Sequence, residues 1–213
     1  MEPNTGNLNA LLLLGLAWSG YFILHSWLAS NRLKAFVQRR RPGLYARYRV
    51  IYNLLAVILL IPPLALLWGS ATPSVWRWQG GWQWLSYGLT GLALLGFWYT
   101  SRHYDMKEFL GLGAASTSGF HLSPVHRYVR HPWYGFGLLL LWSQNMDQAR
   151  LTVVIMASLY LWLGSRLEDR KLVMEFGPLY DSYRRRVPGI IPWPGKSISR
   201  GEAESLMGGQ PLN

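Results

Sequence analysis

Apolar positions in this chain come in long unbroken runs, not in the alternation of half-buried strands or the one-sided stripe of soluble helices. Ala10–Ala29 carries no charged residue, and a run of about 20 residues is what a helix needs to cross the hydrocarbon of a bilayer. Val50–Trp68 is a second run, with Pro62-Pro63 near its far end, and Trp82–Tyr99 is a third. Trp133–Ser143 and Leu151–Leu167 form a fourth and fifth, divided by Gln144–Arg150. As a helix the fourth run covers only about 17 Å, less than a full crossing needs, so run length alone leaves open whether the hairpin it begins spans the bilayer. The pattern predicts an all-α integral membrane bundle of about five transmembrane helices. No strand periodicity and no internal repeat accompany it.

Between the runs lie short basic connectors. Ser30–Arg49 holds Arg32, Lys34, Arg39, Arg40, Arg41, Arg47 and Arg49, Ser101–His131 holds Arg102, Lys107, Arg127 and Arg130, and the residues after Ser165 hold most of the rest. Of the 21 Lys and Arg only Arg77 and Arg150 fall elsewhere. The positive-inside rule then places both connectors and the C-terminus in the cytoplasm and the N-terminus outside, which an odd number of crossings satisfies. The net charge of +11 is thereby read as a topology signal with attraction to anionic headgroups, not as a nucleic-acid surface, since no reader motif accompanies it. The first run lacks a basic n-region and a small-residue cleavage site, so it is read as a membrane helix and not a signal peptide. Many tryptophans lie near run ends, where interfacial aromatics belong. Residues 1–193 read as a single membrane-embedded domain, and 194–213, which carry Gly, Ser and Pro, as a disordered tail.

The absence of cysteine excludes disulfides, thiolate metal sites and a catalytic thiol. No G-x-G-x-x-G, P-loop or G-x-S-x-G element occurs, so a nucleotide-like cofactor would be held without a Rossmann domain and a serine hydrolase is not indicated. His121, His126 and His131 are spaced by five and interrupted by Pro124 and Pro132, which matches no zinc pattern, and no metal site is expected. What remains polar gathers in three groups at one set of run ends. These are His25-Ser26; Ser101–Glu108 leading on to His126, Arg130 and His131; and Arg166–Arg170 followed by Phe176–Tyr180, Tyr183 and Arg184. Ionisable groups at the edge of a bundle are costly and mark a functional site by default. In Arg130-His131-Pro132, Pro132 suits the first turn of a helix, which would set His131 beside open backbone donors and the positive dipole end. The short linker between the last two runs makes them antiparallel, bringing Arg130–Tyr134 level with Arg166–Lys171. Whether Glu168 faces His131 is not settled by that topology.

Arg130-His-Pro-Trp-Tyr134, the apolar hairpin, Leu167-Glu-Asp-Arg-Lys-Leu172, Phe176-Gly-Pro-Leu-Tyr-Asp-Ser-Tyr183 and Val187-Pro-Gly-Ile-Ile-Pro192 resemble, in that order, the isoprenylcysteine carboxyl methyltransferase and phospholipid methyltransferase superfamily. These are integral-membrane enzymes that use S-adenosylmethionine (SAM). His25-Ser-Trp-Leu-Ala29, Arg47-Tyr-Arg49, Tyr52-Asn53, Tyr104-Asp105, Phe109–Leu112 and Trp142…Asn145-Met146 look like its methanethiol S-methyltransferase and NnrU-like branch. Two departures touch the cofactor region: Ser123-Pro-Val-His126 replaces a small-Gly-x-Tyr element, and Glu168-Asp169 replaces a Glu-Glu pair. The resemblance implies a SAM-dependent membrane methyltransferase acting on a small thiol or other lipid-soluble acceptor, with cofactor held by about residues 121–193. It implies Tyr128, Val129, His131, Pro132, Tyr134, Glu168, Asp169, Tyr180 and Tyr183 around SAM. It also implies Arg130, His131, Glu168 and Arg184 in catalysis, with His25, His103 and Tyr104 toward the acceptor.

Methyl transfer is an in-line displacement in which positioning and exclusion of water lower most of the barrier. A thiol acceptor must react as its thiolate, which Arg130 and Arg184 would favour and whose proton His126 or His131 would take. The branch also contains haem-dependent 15-cis-zeta-carotene isomerases, so the alternative is a haem protein with His25 or His103 on iron. A non-enzymatic membrane scaffold is a third reading. The bilayer and a small lipophilic or thiol substrate are the expected partners, nucleic acid is not, and the expected location is the inner membrane with the site on its cytoplasmic side.

Overall fold

A computed structural model of the chain describes residues 5–113 and 119–212. All five apolar runs are helical. They are α1 (Thr5–Ala29), α4 (Tyr48–Gly69), α5 (Trp82–Ser101), α7 (Pro132–Trp142) and α8 (Gln148–Phe176), with α2 (Asn31–Arg40), α3 (Pro42–Tyr45), α6 (Met106–Leu110), α9 (Pro178–Arg186) and α10 (Arg200–Met207) between and after them. Three stretches, Asn7–Ala29, Tyr48–Gly69 and Gln148–Phe176, are long and apolar enough to cross a membrane. Along α1 and α4 large side chains such as Leu12, Leu16, Ile23, Leu54, Val57 and Ile61 stand more than half exposed. A soluble protein rarely leaves so continuous an apolar surface open, and a lipid-facing bundle requires it. Helix α7 is 11 residues long, as short as the sequence indicates.

Two compact units divide the chain. The first comprises Met1–Arg77, Asp105–Ala115 and Asn145–Ala157. Its core joins Leu14, Trp18, Ala149 and Val153, and Tyr48 ties α4 to α1 by donating to the Leu28 carbonyl at 2.6 Å. A feature the sequence did not indicate is a two-stranded antiparallel pair, β1 (Ser74–Trp76) with β2 (Met146–Asp147). It is too short for any alternation to register, and Asp147 anchors it by accepting from Thr72 and from the Arg150 amide. A cavity of about 470 Å³ lies in this unit against Asn7, Leu13, Leu66, Gly69 and Thr72. None of the residues proposed from the sequence lines it.

The second unit comprises Trp78–Tyr104, Ser116–Gln144 and Ser158–Asn213. Helix α5 packs on α7 closely enough that Gly96 leaves no space for a Cβ beside the Phe136 ring. A core of Phe120, Tyr180, Tyr183, Val187, Ile198, Ala203 and Leu206 joins α9 to the C-terminal segment. That segment corrects the expected disordered tail over 194–213, apart from Asn213, which lies outside the described residues. Ser199 accepts from the Glu202 amide while the Glu202 carboxylate accepts from the Ser199 amide. This reciprocal cap starts α10, whose Ala203 and Leu206 are buried.

Candidate active site

The second unit assembles its polar residues around one carboxylate. Helix α8 continues nine residues past the apolar run that ends at Leu167, so Glu168 and Asp169 are helical. Adjacent helical residues point about 100° apart, and only one of the pair can turn fully inward. Asp169 does. Its side chain is 9% exposed and that of Glu168 46%. Asp169 receives Arg130 through Nε at 3.1 Å and Nη2 at 2.6 Å, His131 through Nε2 at 2.9 Å, and the Tyr180 hydroxyl. Arg130 then donates through Nη1 to the carbonyls of Arg184 and Val187. Four of its five N–H donors are thus engaged inside the protein, in the planar fork for which arginine is suited.

His131 stands between both acids. Nε2 meets Asp169, and Nδ1 lies 3.4 Å from Glu168 Oε2. Burial opposes a charged imidazole, yet hydrogen bonds to Asp169 and Glu168 outweigh it and raise the pKa above its ordinary value. The Tyr134 ring stacks on the imidazole at 5.5 Å, with 18° between planes.

The backbone around His131 corrects the expectation of open helix-start donors. Arg130 N–H donates to the Pro188 carbonyl at 2.9 Å and His131 N–H to that of Gly189 at 2.8 Å. Tyr128 and Val129 both donate to Val125. Pro132 has no N–H, so amides 128–131 are spent within the protein and present nothing to a ligand. Gly135 allows the close approach, since a Cβ there would lie 2.7 Å from the Ile190 carbonyl oxygen.

His126, in the 3-10 turn Pro124–Arg127, is buried on the same side of the unit. Its Nδ1 accepts from the Ser123 amide at 3.1 Å, and its Nε2 lies 3.1 Å from the Tyr104 hydroxyl. Burial, with His131 nearby, lowers its pKa to about 4. Burial, with Glu168 nearby, raises that of Tyr104 to about 12. Tyr183 donates to the His126 carbonyl at 2.6 Å.

The structure therefore brings Tyr104, Arg130, His131, Tyr134, Glu168, Asp169 and Tyr180 into one contiguous network. Tyr180 and Tyr183 are each 1% exposed and act as packed supports, not as a pocket lining. Val129 and Pro132 are buried beside the network, and Tyr128 is exposed with its ring against Arg127. Arg184 is exposed and paired with Asp181 at 2.7 Å. His25 belongs to the first unit, where Tyr52 lies 2.8 Å from its Nε2. His103 is exposed past the end of α5, with Nδ1 3.0 Å from the Tyr99 carbonyl. Among the described residues no three His, Asp or Glu converge as a metal-binding group. Sequence reasoning gave no role to Ser123, Pro188 or Gly189. A Ser-Pro pair with a hydrogen-bonding residue three positions after Ser was the available sign of a capped turn.

The chain is 30% identical over 197 residues to methanethiol S-methyltransferase 2 of Bradyrhizobium diazoefficiens, an alignment covering 87% of this chain and 75% of the relative. It belongs to the methanethiol S-methyltransferase family. Methanethiol S-methyltransferases of Crocosphaera subtropica (26% identical, 87% of this chain, 76% of that one) and a Pseudomonas species (25%, 79% and 68%) are also similar over most of their length. No family model matches, and no solved structure does. Family membership supports a membrane methyltransferase, and nothing favours the haem alternative. Within this family of methyltransferases the network has a simple chemical reading. One acid, Asp169, is consumed in holding Arg130 and His131. The other, Glu168, keeps a half-exposed carboxylate that accepts from His131 and Tyr134, an acceptor that suits a cationic ligand.

Proposed function

We propose that the chain is a SAM-dependent thiol S-methyltransferase whose site lies on the cytoplasmic side of the inner membrane. The observation that carries this reading is the Glu168 carboxylate, half exposed beside His131, in a chain of this family. SAM, when bound, supplies an electrophilic methyl group on a sulfonium. Glu168 would hold a cationic part of it, and the Tyr134 face would lie alongside. His131 fixes Glu168 from behind, and Asp169, Arg130 and Tyr180 fix His131, so the carboxylate is preorganised by a shell that needs no rearrangement on binding. The strap of Pro188 and Gly189 carbonyls sets the backbone from which His131 projects. Four of the five Arg130 N–H donors are used on Asp169 and on the Arg184 and Val187 carbonyls, so its main part is this support. The basic connectors favour the inner-leaflet assignment, which lets a water-soluble methyl donor and a small thiol reach the site from the cytosol.

Calorimetric titration of the purified protein with SAM tests the reading. Binding is expected, weakened at least tenfold in Glu168→Gln and in His131→Ala, with methyl transfer to methanethiol following the same order. Absence of SAM binding at millimolar concentration overturns it.

A further inference from the structure

A thiol must lose its proton before its sulfur can attack, and the cluster shows where that proton does not go. Tautomers follow from the partners. A backbone amide can only donate, so the Ser123 N–H fixes the lone pair of His126 on Nδ1 and the hydrogen on Nε2, which donates to Tyr104. Protonating His126 would break the Ser123 bond. A carboxylate can only accept, so His131, with Asp169 at Nε2 and Glu168 at Nδ1, carries hydrogen on both nitrogens. Every element packed around these rings agrees. Helix α8 contributes Glu168 and Asp169, α9 contributes Tyr180 and Tyr183, the end of α5 contributes His103 and Tyr104, and Arg130 and Tyr134 flank His131 along the chain. Residues 114–118 read Ala-Ala-Ser-Thr-Ser and bring no base. Burial raises the pKa of Tyr104, Tyr180 and Tyr183, which holds all three in the phenol form.

We infer that the enzyme takes its acceptor already ionised: the substrate of this site is the thiolate, drawn from solution, and no side chain of the His126–His131–Glu168–Asp169 cluster removes the proton. This rests on the methyltransferase reading above. In the step so defined the thiol S–H bond breaks in solution and water or buffer takes the proton. The thiolate sulfur then bonds to the methyl carbon as the bond from that carbon to the sulfonium sulfur breaks. The departing sulfur keeps the electron pair, giving a thioether and a neutral sulfide. Arg130 and His131 balance Glu168 and Asp169 in charge, so the anion is drawn by the methyl donor's own positive charge. The consequence is substrate selection by acidity as much as by size. At a given pH, a more acidic small thiol is methylated faster in proportion to its ionised fraction.

The test combines two readouts on the full-length protein in detergent. Nitrogen-15 NMR of histidine-labelled protein is expected to show His126 neutral with hydrogen on Nε2 from pH 6 to pH 8.5, and His131 still doubly protonated where a free imidazole has lost its proton. Assignments come from His126→Asn and His131→Asn. The second readout is kcat/KM from pH 6 to pH 9 for methanethiol and for the more acidic 2,2,2-trifluoroethanethiol. Each is expected to rise about tenfold per pH unit below that thiol's own ionisation, so that trifluoroethanethiol levels off within the range and methanethiol is still rising at its upper end. A common plateau for both thiols between pH 6 and pH 7, or a His126 or His131 signal titrating there, overturns the inference. If His103→Gln abolishes such a plateau, the exposed His103 is the base and the inference is equally lost. Calorimetric SAM binding separates the two levels of failure. Binding with a common plateau sinks the thiolate inference alone, and no binding sinks the methyltransferase reading together with it.

Discussion

Replacing Asp169 by Asn removes one negative charge and leaves the shape of the side chain nearly unchanged. The partners stay where they are. Arg130, with its side chain 12% exposed, remains as a buried cation with no anion of its own, and His131, 4% exposed, keeps only Glu168 at 3.4 Å. Breaking one member of a buried ion pair costs about 3–5 kcal/mol, mostly through the uncompensated charge left behind. Asn can accept with only one oxygen where Asp169 serves Arg130 twice, His131 and Tyr180, and its amide hydrogens face donors, so the upper half of that range applies. For a chain of this size each kcal/mol moves the midpoint by about 2–4 °C, giving a loss of about 8–20 °C. Glu168→Gln is the internal control. Its side chain is 46% exposed and its contact to His131 is 3.4 Å, a geometry worth about 1 kcal/mol or less. Thermal unfolding followed by intrinsic tryptophan fluorescence in one fixed detergent reads both. The neighbours should separate cleanly: Asp169→Asn unfolds early, while Glu168→Gln unfolds near wild type and loses SAM. Equal midpoints for the two variants would refute the division of labour argued for this acidic pair.

His126 gives a pH dependence of definite sign. Its pKa falls from 6.5 to about 4 in the folded chain, so the neutral ring favours the fold fully above about pH 6.5, and that contribution is lost as pH falls toward 4. Thermal midpoints should drop across this window, and drop less in His126→Asn, whose side-chain oxygen can still accept from Ser123. His131 is shifted the other way, so its contribution is full below pH 6.5 and is lost only as pH rises through its folded value. Gly135→Ala places a Cβ 2.7 Å from the Ile190 carbonyl and must push the strap off Arg130 and His131. A cost of about 1–3 kcal/mol is expected, against almost none for Gly137→Ala, where the nearest atom is 3.8 Å away; the same unfolding assay compares them. Leu206→Ala empties a position with 0% exposure and should cost about 2–5 kcal/mol. An unchanged midpoint would mean that α10 does not contribute to the core.

The long apolar helices were legible because a bilayer imposes a length, and Ala10–Ala29 and Val50–Trp68 are runs of that length. The same criterion fails for short elements. Ser74–Trp76 and Met146–Asp147 are too brief for periodicity, and their pairing is decided by Asp147, whose reach to Thr72 no local pattern encodes. The C-terminal segment was misread for a different reason. Its Gly, Ser and Pro outweighed the reciprocal cap at Ser199 and Glu202, a signal that is present in the sequence and outranks composition once Ala203 and Leu206 find apolar partners.

At the site, chain order brought Arg130–Tyr134 level with Arg166–Lys171, since a short hairpin leaves no other choice. It could not say which of two adjacent acids turns inward. That is a rotation of about 100° around α8, settled by where the Arg130 fork and the Tyr180 hydroxyl converge. Nor could it say what the histidines do. The sequence offers His126 and His131 as equivalent bases beside a thiol. The fold gives one a backbone amide on its only lone pair and the other a carboxylate at each nitrogen. A histidine's chemistry is thus fixed by partners that are distant along the chain or carried on the backbone, and neither kind leaves a mark in residue spacing. In this chain the result is a division between two carboxylates: Asp169 is buried and holds Arg130 and His131, while Glu168, at the other nitrogen of His131, keeps its side chain half exposed.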